Sequence, residues 1–314
     1  MAGMLRAHGH ALMDVTLAGL RVLREVAERG TITAAAEALG YTQSAVSRQV
    51  AGLEQAAGAR LFDRHPGGVR LTGAGRALLR HAVVALDALD AADRELRGAG
   101  AADGPVRLGF FPTAGAVFVA RALAALRRDH PRIRMSTREG TTPSLVRALR
   151  AGTLDIALLS SRPPHRSPDT DAPPLRVEPL LETRLAVAVP ASGRFTGRDS
   201  VTAEEIADEP WIASPAGAQE PLLGVWPGLP GRPRVRHTAR DWLTKLHLVA
   251  AGAGITTAPS TLLPAVPPGV RIVAVEGVAE EWRRVSLAHS PGPATESANA
   301  VVRVLREEAA ELAD

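Results

Sequence analysis

A short segment of the chain carries four polar side chains at positions that share one side of a helix. They are Gln43, Ser44, Ser47 and Arg48, near the start of a run that continues to Glu54. Arginine can donate two hydrogen bonds to O6 and N7 of guanine, and glutamine can pair with adenine in a similar way. The pattern predicts either a face that reads base edges in the major groove of DNA or an ordinary solvated helix face.

The apolar residues of the same run fall on the other side of the helix. Val46, Val50, Leu53 and Ala57 recur at spacings of three and four, which is typical of a buried helix stripe. Thr42 precedes the run and can cap its first turn. We therefore predict a helix with one buried side and one polar outer side.

Two preceding helices would position this one. The apolar residues of the first repeat at helical spacing up to Gly30, and they are Leu17, Leu20, Leu23 and Val26. Thr33 can cap a second helix that ends at Leu39, and Gly40-Tyr41 then makes a tight turn. Two helices joined by a short turn that contains glycine predict a helix-turn-helix.

A β-hairpin wing is predicted over residues 64–71, because Pro66-Gly67-Gly68 makes a turn between two short extended segments. Arg64 and Arg70 flank this turn. They can meet phosphates or reach toward the minor groove, contacts that position a protein on DNA without reading its sequence. Residues 14–80 hold nine arginines and six acidic residues, so the module is net basic by three.

Several short motifs occur together in this region. They are Ala35-Ala36-Glu37-x-Leu39, Thr42-Gln43-Ser44-Ala45-Val46-Ser47-Arg48, Leu53-Glu54, Gly58, Leu61-Phe62-x-Arg64 and Leu71-Thr72-x-x-Gly75. In this spacing the region resembles the N-terminal domain of LysR-type transcriptional regulators. The resemblance implies that the DNA bases are faced by Gln43, Ser44, Ser47 and Arg48. It also implies that Thr42 and Arg64 lie near the DNA backbone. Ser44 departs from the family, which often has proline there, so the base preference does not transfer directly.

A long helix is predicted from its cap, Thr72, to about residue 97. Apolar residues alternately four and three apart form a heptad seam, namely Leu78, Ala82, Ala85, Leu89, Ala92 and Leu96. Such a seam predicts either pairing with a second copy of the chain or packing on its own domain. The family resemblance implies pairing, which would present two recognition helices to an interrupted palindrome. We therefore expect a homodimer through this helix, and pairing of dimers into a tetramer.

The character of the sequence changes after the long helix. Residues 98–105 are rich in glycine and alanine and close with a proline, which predicts an interdomain hinge. Beyond the hinge, short apolar strands alternate with amphipathic helices such as Ala116–Arg128 and Pro143–Ala151, so an α/β domain with a mixed sheet is predicted. The predicted strands are residues 106–110, 133–137, 155–159, 185–189, 211–213, 270–275 and 285–289.

This second part resembles the effector domain of the same family, which is similar in fold to periplasmic solute-binding proteins. The matching features are Val106-Arg-Leu-Gly109, His130-Pro131, Ala151-Gly152-Thr-Leu-Asp155-Ile156 and Val249-Ala-Ala-Gly-Ala-Gly254-Ile255. The resemblance implies two α/β lobes that the chain crosses twice, with a small-molecule effector between them.

The expected organisation follows from these parts. An N-terminal extension, expected to be disordered, covers residues 1–13, and a winged helix-turn-helix domain covers 14–71. The linker helix is 72–97, the hinge is 98–105 and the effector domain is 106–314. Its first lobe is expected at about 106–180 and 270–314, and its second at about 181–269.

Loops that lead into predicted helices of the first lobe carry hydroxyl groups and one arginine. Free N–H groups at a helix start can receive an anion. The candidate effector residues there are Thr113, Thr141, Thr142, Ser160 and Arg162. Ser214, His237 and Asp241 are expected to face them from the second lobe. Taken singly, each loop Ser or Thr is more often a simple helix cap than a ligand contact. The predicted effector is a small molecule of unidentified structure, anionic or polar.

Composition excludes several kinds of site. The chain has no cysteine, which removes disulfides, thiolate metal sites and thiol-based redox sensing. Its nine histidines are scattered, and the one close pair, His8 and His10, lies in the N-terminal extension. G-x-S-x-G, G-x-x-x-x-G-K and H-E-x-x-H motifs are absent from the sequence. We therefore expect no catalysis, no metal and no resident cofactor.

Location and partners are expectations of the same kind. No apolar run approaches the roughly 20 residues that span a bilayer, and residues 1–13 lack a hydrophobic signal core. We therefore predict a cytoplasmic protein without a membrane partner. Double-stranded DNA is the expected partner, and RNA polymerase is a further one. A solute-binding protein without DNA activity would explain the C-terminal half alone, but the helix-turn-helix argues against it.

Overall fold

The computed structural model describes residues 15–96, 105–169, 171–215, 223–289 and 294–313. The described residues separate into two compact units. The first lies within residues 1–104 and 146–154, and the second lies within residues 105–145 and 155–314. The predicted N-terminal extension and nearly all of the predicted hinge lie outside the described residues.

A winged helix-turn-helix forms the first part of the chain, as the sequence predicts. Its elements are α1 (Leu17–Arg29), α2 (Ile32–Leu39), α3 (Gln43–Ala57), β1 (Phe62–His65) and β2 (Gly68–Leu71). The predicted cap of α2 was wrong. Thr31 caps it in place of Thr33, because the Thr31 hydroxyl accepts the N–H of Ala34 at 3.1 Å and the helix begins at residue 32. Val46, Val50 and Leu53 of α3 are buried against α1, which leaves the other side of α3 outside.

The long helix α4 (Gly73–Leu96) begins at its predicted cap, where the Thr72 hydroxyl accepts the N–H of Gly75 at 3.0 Å. A Cβ atom at residue 75 would lie 2.1 Å from the Leu61 carbonyl oxygen, so only glycine fits where this helix passes the wing. The residues of the seam predicted along α4 lie in two different environments. Leu78 and Ala82 pack on the core of their own domain, whereas Leu89 keeps 44% of its surface exposed.

Ten strands and several helices make up the described residues of the α/β part. The strands are β3 (Val106–Phe110), β4 (Met135–Glu139), β5 (Ile156–Ser161), β6 (Arg176–Pro190), β7 (Ser200–Thr202), β8 (Trp211–Ala213), β9 (Val235–Thr238), β10 (Thr256–Pro259), β11 (Val270–Glu276) and β12 (Trp282–His289). The helices are α5 (Pro112–Ala114), α6 (Ala120–Asp129), α7 (Thr142–Arg150), α8 (Ala203–Ala207), α9 (Trp242–Ala250) and α10 (Glu296–Ala313). A π-helical turn, Gly115–Val119, joins α5 to α6, and Ser260–Ala265 is a 3-10 helix.

The long strand β6 connects the two lobes. Its residues 176–184 pair with β12, which also pairs with β5, and β3 lies between β5 and β4. Its residues 185–190 pair with β10 and β11, and β11 pairs in turn with β7. Strands β8 and β9 form a separate parallel pair. The lobe boundary predicted at residue 270 was therefore too early, because β11 belongs to the sheet of the second lobe.

Four strand segments have no clear pattern in the sequence. The first half of β6 contains Pro179, which has no N–H for a ladder, and the register with β12 shifts between Pro179 and Leu181. All four residues of β9 are exposed, so β9 shows no apolar alternation. The remaining two, β7 and β10, are only three and four residues long.

Candidate functional site

The start of α3 presents the polar face that the sequence predicts. Gln43, Ser44 and Arg48 are exposed, and Ser47 is half-buried. The Thr42 hydroxyl caps the helix by accepting the N–H of Ala45 at 3.2 Å, and it lies 3.1 Å from the Ser44 hydroxyl. Thr42 therefore has a structural role in addition to its predicted place near the DNA backbone.

Glu54 ties the wing to α3. Its carboxylate accepts the N–H groups of Leu61 at 2.7 Å and Phe62 at 3.2 Å. This contact gives a structural reason for the Leu53-Glu54 motif, because the acidic residue fixes where the hairpin leaves the helix.

The two arginines of the wing lie on opposite faces of the hairpin. Arg64 pairs in register with Val69, and Arg70 pairs with Asp63. Directly opposed residues of an antiparallel pair share a face and successive residues of a strand point to opposite faces, so Arg64 shares its face with Val69 and Arg70 shares the other face with Asp63. Arg64 and Ser47 both line a small cavity of about 50 Å³. The structure thus brings Arg64 toward α3 and does not bring Arg70 there.

The predicted effector residues of the first lobe meet at the carboxyl ends of β3, β4 and β5, which run parallel. The N–H of Gly140 donates to the Phe110 carbonyl oxygen at 2.9 Å, and the Thr142 hydroxyl donates to the Ser160 carbonyl oxygen at 3.3 Å. The other candidates of this lobe lie in the same loops or beside them, namely Thr113 in α5, Thr141 before α7 and the exposed Arg162 after β5.

The candidates of the second lobe lie around β8, β9 and the start of α9. Ser214 directly follows β8, and His237 is an exposed residue of β9. Asp241 caps α9, because its carboxylate accepts the Thr244 N–H at 2.6 Å and the Thr244 hydroxyl at 2.7 Å. These hydrogen bonds hold the pKa of Asp241 below its usual value, and the one from the Thr244 hydroxyl has the larger effect. The Asp241 carboxylate is therefore engaged in capping.

Lys245 lies beside the candidate Ser214 and was not among the residues that the sequence analysis predicted. Only 7% of its surface is exposed, and its ammonium group donates to the Ser214 hydroxyl oxygen at 2.7 Å. Burial lowers the pKa of Lys245 to about 8. One signal in the sequence could have identified it, since Lys245 is the only lysine in an arginine-rich chain.

The sequence analysis also missed a pair of residues beside the first-lobe candidates. The Ser161 hydroxyl is 3.1 Å from Nδ1 of His165, directly next to Ser160 and Arg162. No pattern of spacing in the sequence distinguished this pair from other loop residues.

The effector candidates of each lobe thus lie near one another within that lobe. Two cavities are found among the described residues, and no effector candidate lines either of them. One is the cavity beside Ser47, and the other, of about 440 Å³, is lined by residues of the segment 263–272. In the described ranges, no three His, Cys, Asp or Glu side chains are placed to hold a metal ion. No described helix is both long and apolar enough to span a membrane.

Comparison with protein families identifies both parts of the chain. Residues 17–76 match the family described as "Bacterial regulatory helix-turn-helix protein, lysR family", and residues 99–310 match "LysR substrate binding domain". The chain belongs to the LysR-type family of transcriptional regulators. It therefore combines the DNA-binding domain of this family with an effector-binding domain, as the resemblance implied.

Individual relatives agree with this LysR-type assignment. The chain is 36% identical over 189 residues to a "Probable hydrogen peroxide-inducible genes activator" from Mycobacterium xenopi, an alignment covering 59% of this chain and 95% of the relative. The C206 mutant of OxyR from Corynebacterium glutamicum has a similar fold, with a TM-score of 0.54, 23% identity and coverage of 95% and 93% of the two chains. Full-length CbnR, solved with its target DNA, has a TM-score of 0.53, 22% identity and coverage of 93% and 99%. These structures share the arrangement of a helix-turn-helix domain and a two-lobed α/β domain.

Proposed function

We propose that this LysR-type regulator recognises specific DNA sequences through α3 and that a small molecule bound at its α/β domain controls that recognition. The main support for the DNA part is that α3 has one buried and one exposed side. Val46, Val50 and Leu53 are buried. Gln43, Ser44 and Arg48, at the start of the helix, are exposed. A helix whose N-terminal side chains are free to reach outward can place them against base edges in the major groove. The proposed site of action is the cytoplasm, and RNA polymerase is the proposed further partner.

A second copy of the chain is the proposed partner of α4. Five apolar residues of this helix are exposed along one stripe, namely Val84, Ala85, Ala88, Leu89 and Ala92. Their alternating spacing of one and three places them on the same side of the helix. This stripe keeps three members of the predicted seam, namely Ala85, Leu89 and Ala92, and lacks its first two, which pack on their own domain. A pair of chains joined there would carry two recognition helices to two half-sites, and pairing of such dimers into a tetramer remains a prediction.

The signal is proposed to be a reversibly bound ligand. The relative from Mycobacterium xenopi is named for induction by hydrogen peroxide. This chain contains no cysteine, so no thiol can be oxidised to a sulfenic acid or a disulfide. The loops at the carboxyl ends of β3, β4 and β5 support binding instead, because hydroxyl groups and Arg162 meet there, and ligands of open α/β sheets bind at this edge.

Two steps test sequence-specific DNA binding. Fragments that the protein binds are selected from genomic DNA, and a selected and a scrambled duplex are then titrated at fixed salt. We expect the selected duplex to bind at least roughly a thousandfold more tightly than the scrambled one. Equal affinities would contradict sequence-specific recognition.

A thermal-shift screen of organic acids, amino acids and aromatic carboxylates tests the proposed ligand control, because a ligand of the folded state raises the melting temperature. Thr113→Val should weaken a hit without changing the affinity for the scrambled duplex.

A further inference from the structure

The buried ammonium of Lys245 has no negative partner among the described residues. No carboxylate of these residues lies within ion-pair distance of it, and the group to which it donates is the neutral hydroxyl of Ser214. An ammonium group removed from water without a counter-charge reduces the stability of a folded protein. Such a group is therefore more readily explained by a ligand than by packing.

The surroundings of the ammonium leave hydrogen-bonding capacity for that ligand. An ammonium group has three N–H donors, and one of them is directed to Ser214. Because the Ser214 oxygen accepts this bond, the hydroxyl hydrogen of Ser214 is free to donate elsewhere. The pair thus offers more donors than acceptors, because the Ser214 oxygen already accepts one hydrogen bond, and this suits an oxygen atom that carries negative charge.

The position of the pair in the fold agrees with a ligand role. Ser214 follows the carboxyl end of β8, which runs parallel to β9, and Lys245 reaches it from the start of α9. The carboxyl ends of parallel strands are where open α/β folds bind ligands. The Asp241 carboxylate, one turn earlier at the cap of α9, is engaged by Thr244 and does not neutralise the lysine.

We propose that Lys245 and Ser214 form an oxyanion-binding subsite, in which the ammonium and the hydroxyl donate to a carboxylate or phosphate group of the effector. This inference rests on the proposed ligand control of the regulator. It narrows the effector to small molecules that carry an oxyanion, and it identifies the charged residue that would recognise them.

The single lysine makes the subsite directly observable. Protein labelled with ¹³C at the lysine ε position gives one lysine signal, which belongs to Lys245. Acetate, benzoate, phosphate and sulfate are titrated as sodium salts, each against sodium chloride at the same ionic strength. We expect at least one of them to move this signal saturably, and comparison of the two carboxylates with phosphate and sulfate shows which oxyanion the subsite prefers. If none of the four moves the signal beyond the chloride control, the proposal is wrong.

Variants give a second test that does not depend on the spectra. Lys245→Met should bind the preferred oxyanion roughly tenfold to a hundredfold more weakly in thermal-shift titrations, since a charged hydrogen-bond donor is lost. Arg303→Met is the matched control, because it removes an exposed cation on α10, and it should keep the parent response. An oxyanion that raises the melting temperature of Lys245→Met as much as that of the parent would overturn the proposal.

Titration of the selected DNA separates this inference from the proposed function. If an oxyanion moves the Lys245 signal and leaves DNA affinity unchanged, the subsite is supported and ligand control of DNA binding fails. If a neutral compound changes DNA affinity equally in the parent and in Lys245→Met, ligand control is supported and the oxyanion subsite is overturned.

Discussion

Arg64 and Arg70 lie on opposite faces of the wing, because Arg64 is in register with Val69 and Arg70 is in register with Asp63. Directly opposed residues of an antiparallel pair have Cβ atoms about 5 Å apart, so the acidic Asp63 is the direct neighbour of Arg70 on its face of the hairpin. Arg64 has the apolar Val69 opposite it in the hairpin and lies beside Ser47 at the start of α3.

We therefore expect the two arginines to contribute unequally to DNA binding. Arg64→Ala should weaken binding to all duplexes alike and reduce the slope of log affinity against log salt by about one, because one phosphate contact is lost. Arg70→Ala should have a smaller effect on the same slope. Salt titrations of a generic duplex measure both slopes. Equal losses in the two variants would show that the faces of the hairpin do not determine the contacts.

Arg48 is expected to read a base. Arg48→Ala should lose roughly 1 to 3 kcal/mol at the selected duplex and relax the sequence preference at one position. Arg21→Ala is the matched control, because it removes the same charge from an exposed position of α1. The measured quantity is the ratio of affinities for the selected and scrambled duplexes. The assignment of Arg48 would be wrong if this ratio fell equally in both variants.

The exposed stripe of α4 is expected to bury itself against a second copy. Val84 and Leu89 keep 69% and 44% of their surfaces exposed, and a charge at either position would have to be removed from water in a dimer. Leu89→Glu and Val84→Glu should each weaken self-association roughly tenfold or more in sedimentation equilibrium. Leu89→Met keeps the apolar side chain and should associate like the parent. Unchanged association of both Glu variants would exclude this stripe as the interface.

The helix-turn-helix could be predicted from the sequence because local signals determine it. The apolar repeat of α3 and the caps lie within a few residues of the features they explain. The error at α2 has the same local origin, since Thr31 and Thr33 are both suitable caps and only the bond from Ala34 distinguishes them. The seam of α4 was partly wrong because heptad spacing does not state which neighbour covers each residue.

Contacts between distant segments account for what the sequence did not predict. Lys245 meets Ser214 across 31 positions of the chain, and a lysine in a helix ordinarily indicates an exposed face. All four residues of the strand β9 are exposed and the strand is held by its pairing with β8, so its own residues carry little signal. The lobe boundary depended in the same way on β11 pairing with residues 187–190 of β6.

DNA binding by this protein is expected to be insensitive to mild peroxide. No thiol is present, and only four methionines offer sulfur to an oxidant. Brief treatment with hydrogen peroxide should leave the affinity for the selected duplex unchanged within about twofold, as measured by fluorescence anisotropy before and after removal of the oxidant. A rapid loss or gain of affinity that reverses with reductant would contradict a purely ligand-controlled regulator.

The last prediction is that replacing Lys245 by methionine stabilises the protein. The pKa of Lys245 is about 8 in the folded chain, below its ordinary value of 10.5, so the unfolded chain binds more protons between these values. Stability of the parent should therefore rise with pH across this window, as the buried ammonium loses its charge.

Lys245→Met removes the buried charge and should raise the free energy of unfolding at pH 7 by about 1 to 3 kcal/mol. This advantage should shrink from pH 8 toward pH 10.5, and Lys245 is the only lysine in the chain. Urea denaturation of both proteins at about pH 7 and pH 10 measures the effect. A lower stability of Lys245→Met at pH 7 would mean that the lysine supports the fold, because a residue kept for ligand binding reduces stability in the absence of its ligand.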